Sequence, residues 1–212
     1  MLLEKIMTCV SERDENKAIE ALHLAMTLLR NQPAVLQYYQ EATTTTTTTT
    51  NKEGTDDCTS SIAYLLAGVL QRTAASSLIR LSSVADRAFV ELLSVLSDKE
   101  KLQIIGSLLR EWLENNEQKS AVRALFVCLS KAVASNVSRA TLEATLDPTI
   151  LIKGYNHTEL VVRRACVQAI VEMYKILGEG FLMTYLAPSL RIDQVSLLRH
   201  YIGCSSSSSS SS

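Results

Sequence analysis

Val122-Arg123 and Val162-Arg163 stand 40 residues apart, and each pair opens a segment with the same apolar register. One segment carries Val122, Phe126, Leu129 and Val133, the other Val162, Cys166, Ala169 and Met173. Steps of four, three and four place each set on one face of a helix. Asn116 and Asn156 precede the two segments at equivalent places, and Arg164, Gln168 and Glu172 leave a polar stripe for solvent on the second. A helix-bearing unit recurring at this period cannot bury its apolar face alone; it stacks on its neighbours. The recurrence therefore restricts the chain to a layered array of helices.

The remaining pattern agrees with an all-α fold. Residues 16–30 repeat apolar positions at Ala18, Leu22, Ala25 and Leu29, flanked by Ile19 and Met26. Asn31-Gln-Pro33 stops that helix, and a short one carrying Tyr38 and Tyr39 follows to Ala42. The threonines 43–50 cannot bury a core face, so 43–59 is expected as a disordered insertion. A helix capped by Ser60 or Ser61 runs to Val69 or Leu70, and 73–83 has no clear boundaries. Helices are expected at 84–96, 99–114, 118–135, 138–153, 158–177, 179–187 and 190–202, with Pro148 kinking or restarting the fourth of these. The implied organisation is a first helical repeat over 1–42, the Thr-rich insertion, further repeats of the same domain over 60–203, and a Ser-rich disordered tail over 204–212.

Composition excludes several classes. Apolar residues make up 47% of the 212, charged residues 20%, and there are only seven glycines and three prolines, a globular profile. A net charge of −1 gives no overall pull toward nucleic acid, anionic membrane or any other acidic surface. A role on such a surface needs a local basic patch or an intermediary. The five cysteines, Cys9, Cys58, Cys128, Cys166 and Cys204, show no zinc spacing. Cys128 and Cys166 read as small buried hydrophobes. No leader pattern or membrane-length apolar run is seen, so the expected compartment is a reducing cytosol. The sequons at Asn136 and Asn156 then read as polar helix starts.

A Val-Arg pair opening a helix after a polar turn resembles HEAT-type repeats, and the order of elements resembles one family more closely. Leu28-Leu-Arg-Asn-Gln-Pro-Ala34 with Tyr38-Tyr39, Gly154-Tyr-Asn-His-Thr-Glu159, Val162-Arg163, Tyr174 with Ile176-Leu-Gly-Glu179, and Leu197-Leu198 with Tyr201-Ile202 are together similar to the C-terminal TOG-like domain of the CLASPs, the cytoplasmic linker-associated proteins. Residues 60–115 match least. Gly203-Cys204 stands where the family tends to be basic, and the threonine run is extra. The chain starts inside what would be the first repeat, which implies a longer parent with upstream tubulin-binding TOG and basic linker regions.

The resemblance implies a HEAT-repeat-like α-solenoid, a TOG-like array of antiparallel helix pairs, acting as a non-catalytic adaptor. Such a domain recruits a microtubule regulator to plus-end trackers of the CLIP type, to kinetochore motors and to cortical anchors. It serves microtubule stabilisation, spindle organisation and cell division in the cytoplasm, on microtubules, spindle and kinetochore. Tubulin is engaged directly or indirectly, with no nucleic acid and no membrane insertion. Arg123 and Arg163 are expected as a structural ladder, each bridging to an acidic or amide side chain of the adjacent inter-helix turn.

Partner-binding candidates are Tyr155, Arg164, Lys175, Arg191, Arg199, His200 and Tyr201, the tyrosines as aromatic anchors. Tyr201 is expected to pack with Leu197 and Leu198. No cofactor or metal is expected, and no catalytic residue is assigned. His23, His157 and His200 lack the company of a catalytic motif, and a Cys166/His157 dyad would be coincidental. A second reading is a generic HEAT scaffold for transport or phosphatase assembly. A third is a directly tubulin-binding TOG domain, for which Trp112 is the available aromatic, although its setting beside Leu109 and Leu113 reads as packing.

Overall fold

The computed structural model describes residues 14–31, 78–115, 119–135 and 137–207, with short helical pieces at 5, 8–10 and 67–68. Every regular element among the described residues is helical, as expected. Several expected features lie outside them: the helix with Tyr38 and Tyr39, the segment 43–59, the helix start at Ser60 or Ser61, Asn116 and Asn136, and the serines 208–212. The chain divides into two compact units, 1–104 and 105–212.

In the first unit, α1 (Glu15–Asn31) buries Ala18, Leu22, Ala25, Met26 and Leu29 on one face. Asp14 starts it, its Oδ1 accepting from the backbone N–H groups of Asn16 at 3.0 Å and Lys17 at 3.3 Å. Helix α2 (Ile79–Ser94) begins five residues before the expected position 84. The reason is visible in its register. Leu81 joins Ala85, Ala88 and Leu92 on one buried stripe, and no Gly or Pro breaks the lead-in from Leu78. The two helices pack together, and Arg30 grips Glu91 with two contacts, 2.8 Å and 3.1 Å, at their C-terminal turns. A capping box then opens α3 (Asp98–Asn115). The Ser97 N–H donates to Glu100 Oε2 at 2.9 Å while the Glu100 N–H reaches Ser97 Oγ at 3.4 Å.

The second unit holds the end of α3 followed by α4 (Lys119–Ala134), α5 (Arg139–Thr145), α6 (Pro148–Tyr155), α7 (Leu160–Leu177), α8 (Glu179–Phe181) and α9 (Ile192–Ser207). Pro148 restarts the helix instead of kinking it: Leu146 is extended, and Asp147 Oδ1 accepts from the Thr149 N–H at 3.0 Å as cap. Gly178 ends α7 at φ 77°, a conformation that favours glycine. Beyond α8 the chain tightens irregularly, through a π turn over Leu182–Leu186 and a 3₁₀ turn over Ala187–Ser189. The last helix continues past the expected end at Ile202 to Ser207.

Both repeated apolar sets are buried in full: Val122, Phe126, Leu129 and Val133 on α4, and Val162, Cys166, Ala169 and Met173 on α7. These two helices pack directly on each other. Polar links join residues nearly one period apart. Lys119 Nζ meets Glu159 Oε1 at 2.6 Å, which sets the N-terminal ends of α4 and α7 side by side. Arg110 pairs with Asp147 at 2.9 Å and Glu114 with Lys153 at 3.1 Å. That order along α3 and α6 means the two run in the same direction. Trp112 is 4% exposed and belongs to this core with Leu108 and Leu109. Cys166 is buried, whereas Cys128 is only partly so, at the margin of the stripe its neighbours form.

Candidate functional site

The turn 156–159 between α6 and α7 is built from its own polar groups. Asn156, expected to start a helix, instead closes α6, donating from Nδ2 to the Ile152 carbonyl at 3.0 Å, and α7 begins only after Glu159. His157 Nδ1 accepts from the Glu159 N–H at 3.0 Å, so that nitrogen is the unprotonated one. Burial is the main cause holding His157 below its ordinary value, with Lys119 and Arg163 adding to it against Glu159. Arg163 then reaches back and donates through Nη1 to the carbonyls of His157 at 2.7 Å and Thr158 at 2.8 Å.

Arg163 therefore braces a turn as expected, but its acceptors are backbone carbonyls of the turn preceding its own helix, not a side chain of an adjacent one. Those carbonyls belong to a turn between helices and have no helical partner, and a guanidinium is the side chain that can satisfy two at once. Arg123 is exposed and makes no hydrogen bond or ion pair among the described residues. The turn positions that would face it, 116–118, lie outside them.

Gly154 shows why the turn sits so close. A Cβ there would collide with Phe126 Cζ and lie 2.7 Å from Phe126 Cε2 and 2.9 Å from Cys166 Sγ. Only glycine lets α6 approach that ring. The next residue, Tyr155, is 7% exposed, and its hydroxyl donates to the Gln194 carbonyl at 3.4 Å. Burial pushes its phenol above the ordinary value, with Tyr201 and Asp193 acting in the same direction. Gln194 completes the junction, donating from Nε2 to Asn156 Oδ1 at 2.9 Å and accepting from the Arg191 N–H at 3.0 Å.

Between α7 and α9 this leaves a groove of about 640 Å³. Tyr155, Val167 and Val171 lie at its base, and Leu160, Leu197 and Tyr201 are its exposed apolar rim. Its charged side chains are Arg163, Arg164, Arg191 and Asp193. Arg191 and Asp193 pair at 3.3 Å with both side chains well exposed, a contact of little strength. Arg164 is exposed and makes no hydrogen bond or ion pair among the described residues.

Four of the seven sequence candidates, Tyr155, Arg164, Arg191 and Tyr201, thus line one concavity. Three lie elsewhere. Lys175 pairs with Glu172 at 2.8 Å, and Arg199 pairs with Glu179 at 2.6 Å while lying 3.1 Å from Met183 Sδ. His200 is on α9 with its ring 6.4 Å from that of Tyr201.

Tyr201 is not packed with both leucines. It is 46% exposed and Leu197 47%, while Leu198 is fully buried. The i,i+4 relation puts Leu197 and Tyr201 on one face, and Leu198 and Ile202 one step round on the buried one. Sequence reasoning missed Asn156, His157 and Gln194 as parts of the site. The Asn156–Gln194 separation of 38 residues, close to the repeat period, is the one signal that could have found them.

The conceivable Cys166/His157 dyad does not form. The Cys166 thiol donates to the Leu151 carbonyl at 3.3 Å, burial pushes its pKa far up, and His157 is engaged within its turn. Among the described residues no His, Cys, Asp and Glu group could hold a metal ion, and no helix is long and apolar enough to cross a membrane. No family model matches the chain, and no curated protein matches it.

Proposed function

We propose that this chain is a non-catalytic protein-interaction domain of a CLASP-like microtubule plus-end regulator, built as a HEAT-type, TOG-like repeat array. The single observation that carries this reading is the near-40-residue recurrence of both packing and polar linkage in the second unit. Val122-Arg123 and Val162-Arg163 open two helices packed on each other, joined by Lys119–Glu159. Repeat stacks of this kind present concave edges to other proteins, and the groove between α7 and α9 gathers four candidate side chains. Several residues carrying the resemblance also have definite tasks: Gly154 admits Phe126, Tyr155 reaches Gln194, and Tyr174 donates to Glu179 at 3.0 Å.

In this role the domain recruits its parent protein to CLIP-type plus-end proteins, kinetochore motors or cortical anchors, and so contributes to microtubule stabilisation and spindle organisation. Direct tubulin engagement through Trp112 is the less favoured route, because that indole is buried. Affinity purification of the tagged chain from dividing cells, with mass spectrometry of the retained proteins, tests the reading. Recovery of plus-end trackers, kinetochore motors or cortical anchors is the expected result. Recovery of import cargo or phosphatase subunits would overturn it in favour of a generic HEAT scaffold.

A further inference from the structure

We infer that the groove between α7 and α9 binds a short peptide segment of a partner protein that carries Asp or Glu beside bulky apolar side chains. This inference rests on the reading of the second unit as a protein-interaction module and names the chemistry of its ligand. Charge is the first argument. Three arginines, Arg163, Arg164 and Arg191, face the groove against one carboxylate, Asp193, in a chain whose net charge is −1. A local excess of cations on a near-neutral chain selects an anionic ligand by complementarity.

The second argument is the state of each arginine. Arg163 is fixed by two turn carbonyls and contributes a stationary positive field. Arg191 is held only by an exposed contact to Asp193. Arg164 has its whole planar donor fork open, with no partner among the described residues, and that fork matches a carboxylate bidentately. The third argument is the apolar part. Leu160, Leu197 and Tyr201 keep about half of their surface exposed around a base of Val167, Val171 and Tyr155. Apolar side chains gain by covering such a surface, which a purely acidic ligand would leave wet. A volume near 640 Å³ suits two or three side chains, not a whole domain face.

The test is a display selection of random 12-residue peptides on the immobilised full chain, followed by fluorescence anisotropy of the enriched peptides. Enrichment of Asp or Glu next to Leu, Phe or Trp is the expected result. Arg164→Glu should then weaken binding about tenfold or more, the scale of one charge-assisted hydrogen bond. Lys131→Glu, the same charge change at an exposed α4 position away from the groove, should leave affinity unchanged, and a poly-glutamate peptide should bind far more weakly. Enrichment of basic or purely apolar peptides, equal binding of poly-glutamate, or equal losses from Arg164→Glu and Lys131→Glu would each overturn the inference. If proteins captured from dividing cells are retained equally by Arg164→Glu, the groove assignment fails while the module reading stands. If the parent chain captures none of the expected classes, it is the module reading that fails.

Discussion

Helix α7 meets a neighbour on either side, and the two meetings differ. Against α4 it is closed: Val162, Cys166, Ala169 and Met173 are buried, and Phe126 fits beside Gly154 with no room for a methyl group. Toward α9 it is open. There α9 commits Leu198 and Ile202 to burial and leaves Leu197 and Tyr201 about half exposed, with Arg164 and Gln168 of α7 across the gap. The same helix thus serves as core on one side and as a groove wall on the other. The difference comes from its polar stripe. Apolar positions at steps of four and three demand a partner helix, whereas arginine and glutamine at the same spacing cannot be covered by one without losing hydration.

Six substitutions break or sharpen that contrast. The largest effect is expected at the closed side, where Phe126→Ala should cost about 3–5 kcal/mol, read as a lowered midpoint in urea unfolding. Gly154→Ala comes next, at about 1–3 kcal/mol of overpacking strain, and Phe126→Leu in the same chain should return part of it. That rescue is the sharper measurement, because a loss caused by backbone conformation instead of the ring would not be rescued.

A pH effect follows from the turn at the groove's end. His157 is held below its ordinary value of 6.5 and accepts from the Glu159 N–H, so the folded state favours its neutral form. Its contribution is fully present above that value and is lost as pH falls through the lower folded value. The melting temperature should therefore drop more between pH 7.5 and 5.5 for the parent chain than for His157→Gln. An equal drop in both would show that the turn does not depend on the neutral ring. The smallest effect is expected on the open side. Leu197→Ser and Tyr201→Ser should each cost only about 1 kcal/mol, the worth of a half-buried side chain, and a loss as large as that of Phe126→Ala would mean the groove is core.

Much of the second unit could be read from residue spacing. The buried sets of α4 and α7 and the burial of Trp112 follow from periodicity, because which face of a helix is apolar is a local property. The helix starts expected near 99 and 138 are also close to those observed, after Ser97 and Ser138, whereas the restart at Pro148, with Asp147 as its cap, became clear only from the extended Leu146. Helix ends were less legible: α2 begins earlier than expected because nothing breaks the lead-in from Leu78, and α9 ends later because it runs on through Gly203, which would otherwise read as a stop.

Residue types and their spacing determined by themselves that the described segments are helical and that two helices repeat a register 40 residues apart. Only the tertiary structure decided that Tyr155 turns inward to Gln194 while Tyr201 stays on the groove wall, that Arg163 serves its own turn, and that Arg164 and Arg191 share one concavity while Lys175 and Arg199 are engaged elsewhere. The physical reason is range. Periodicity reports the direction a side chain takes from its own helix axis, whereas a groove exists only where two elements distant in sequence leave space between them.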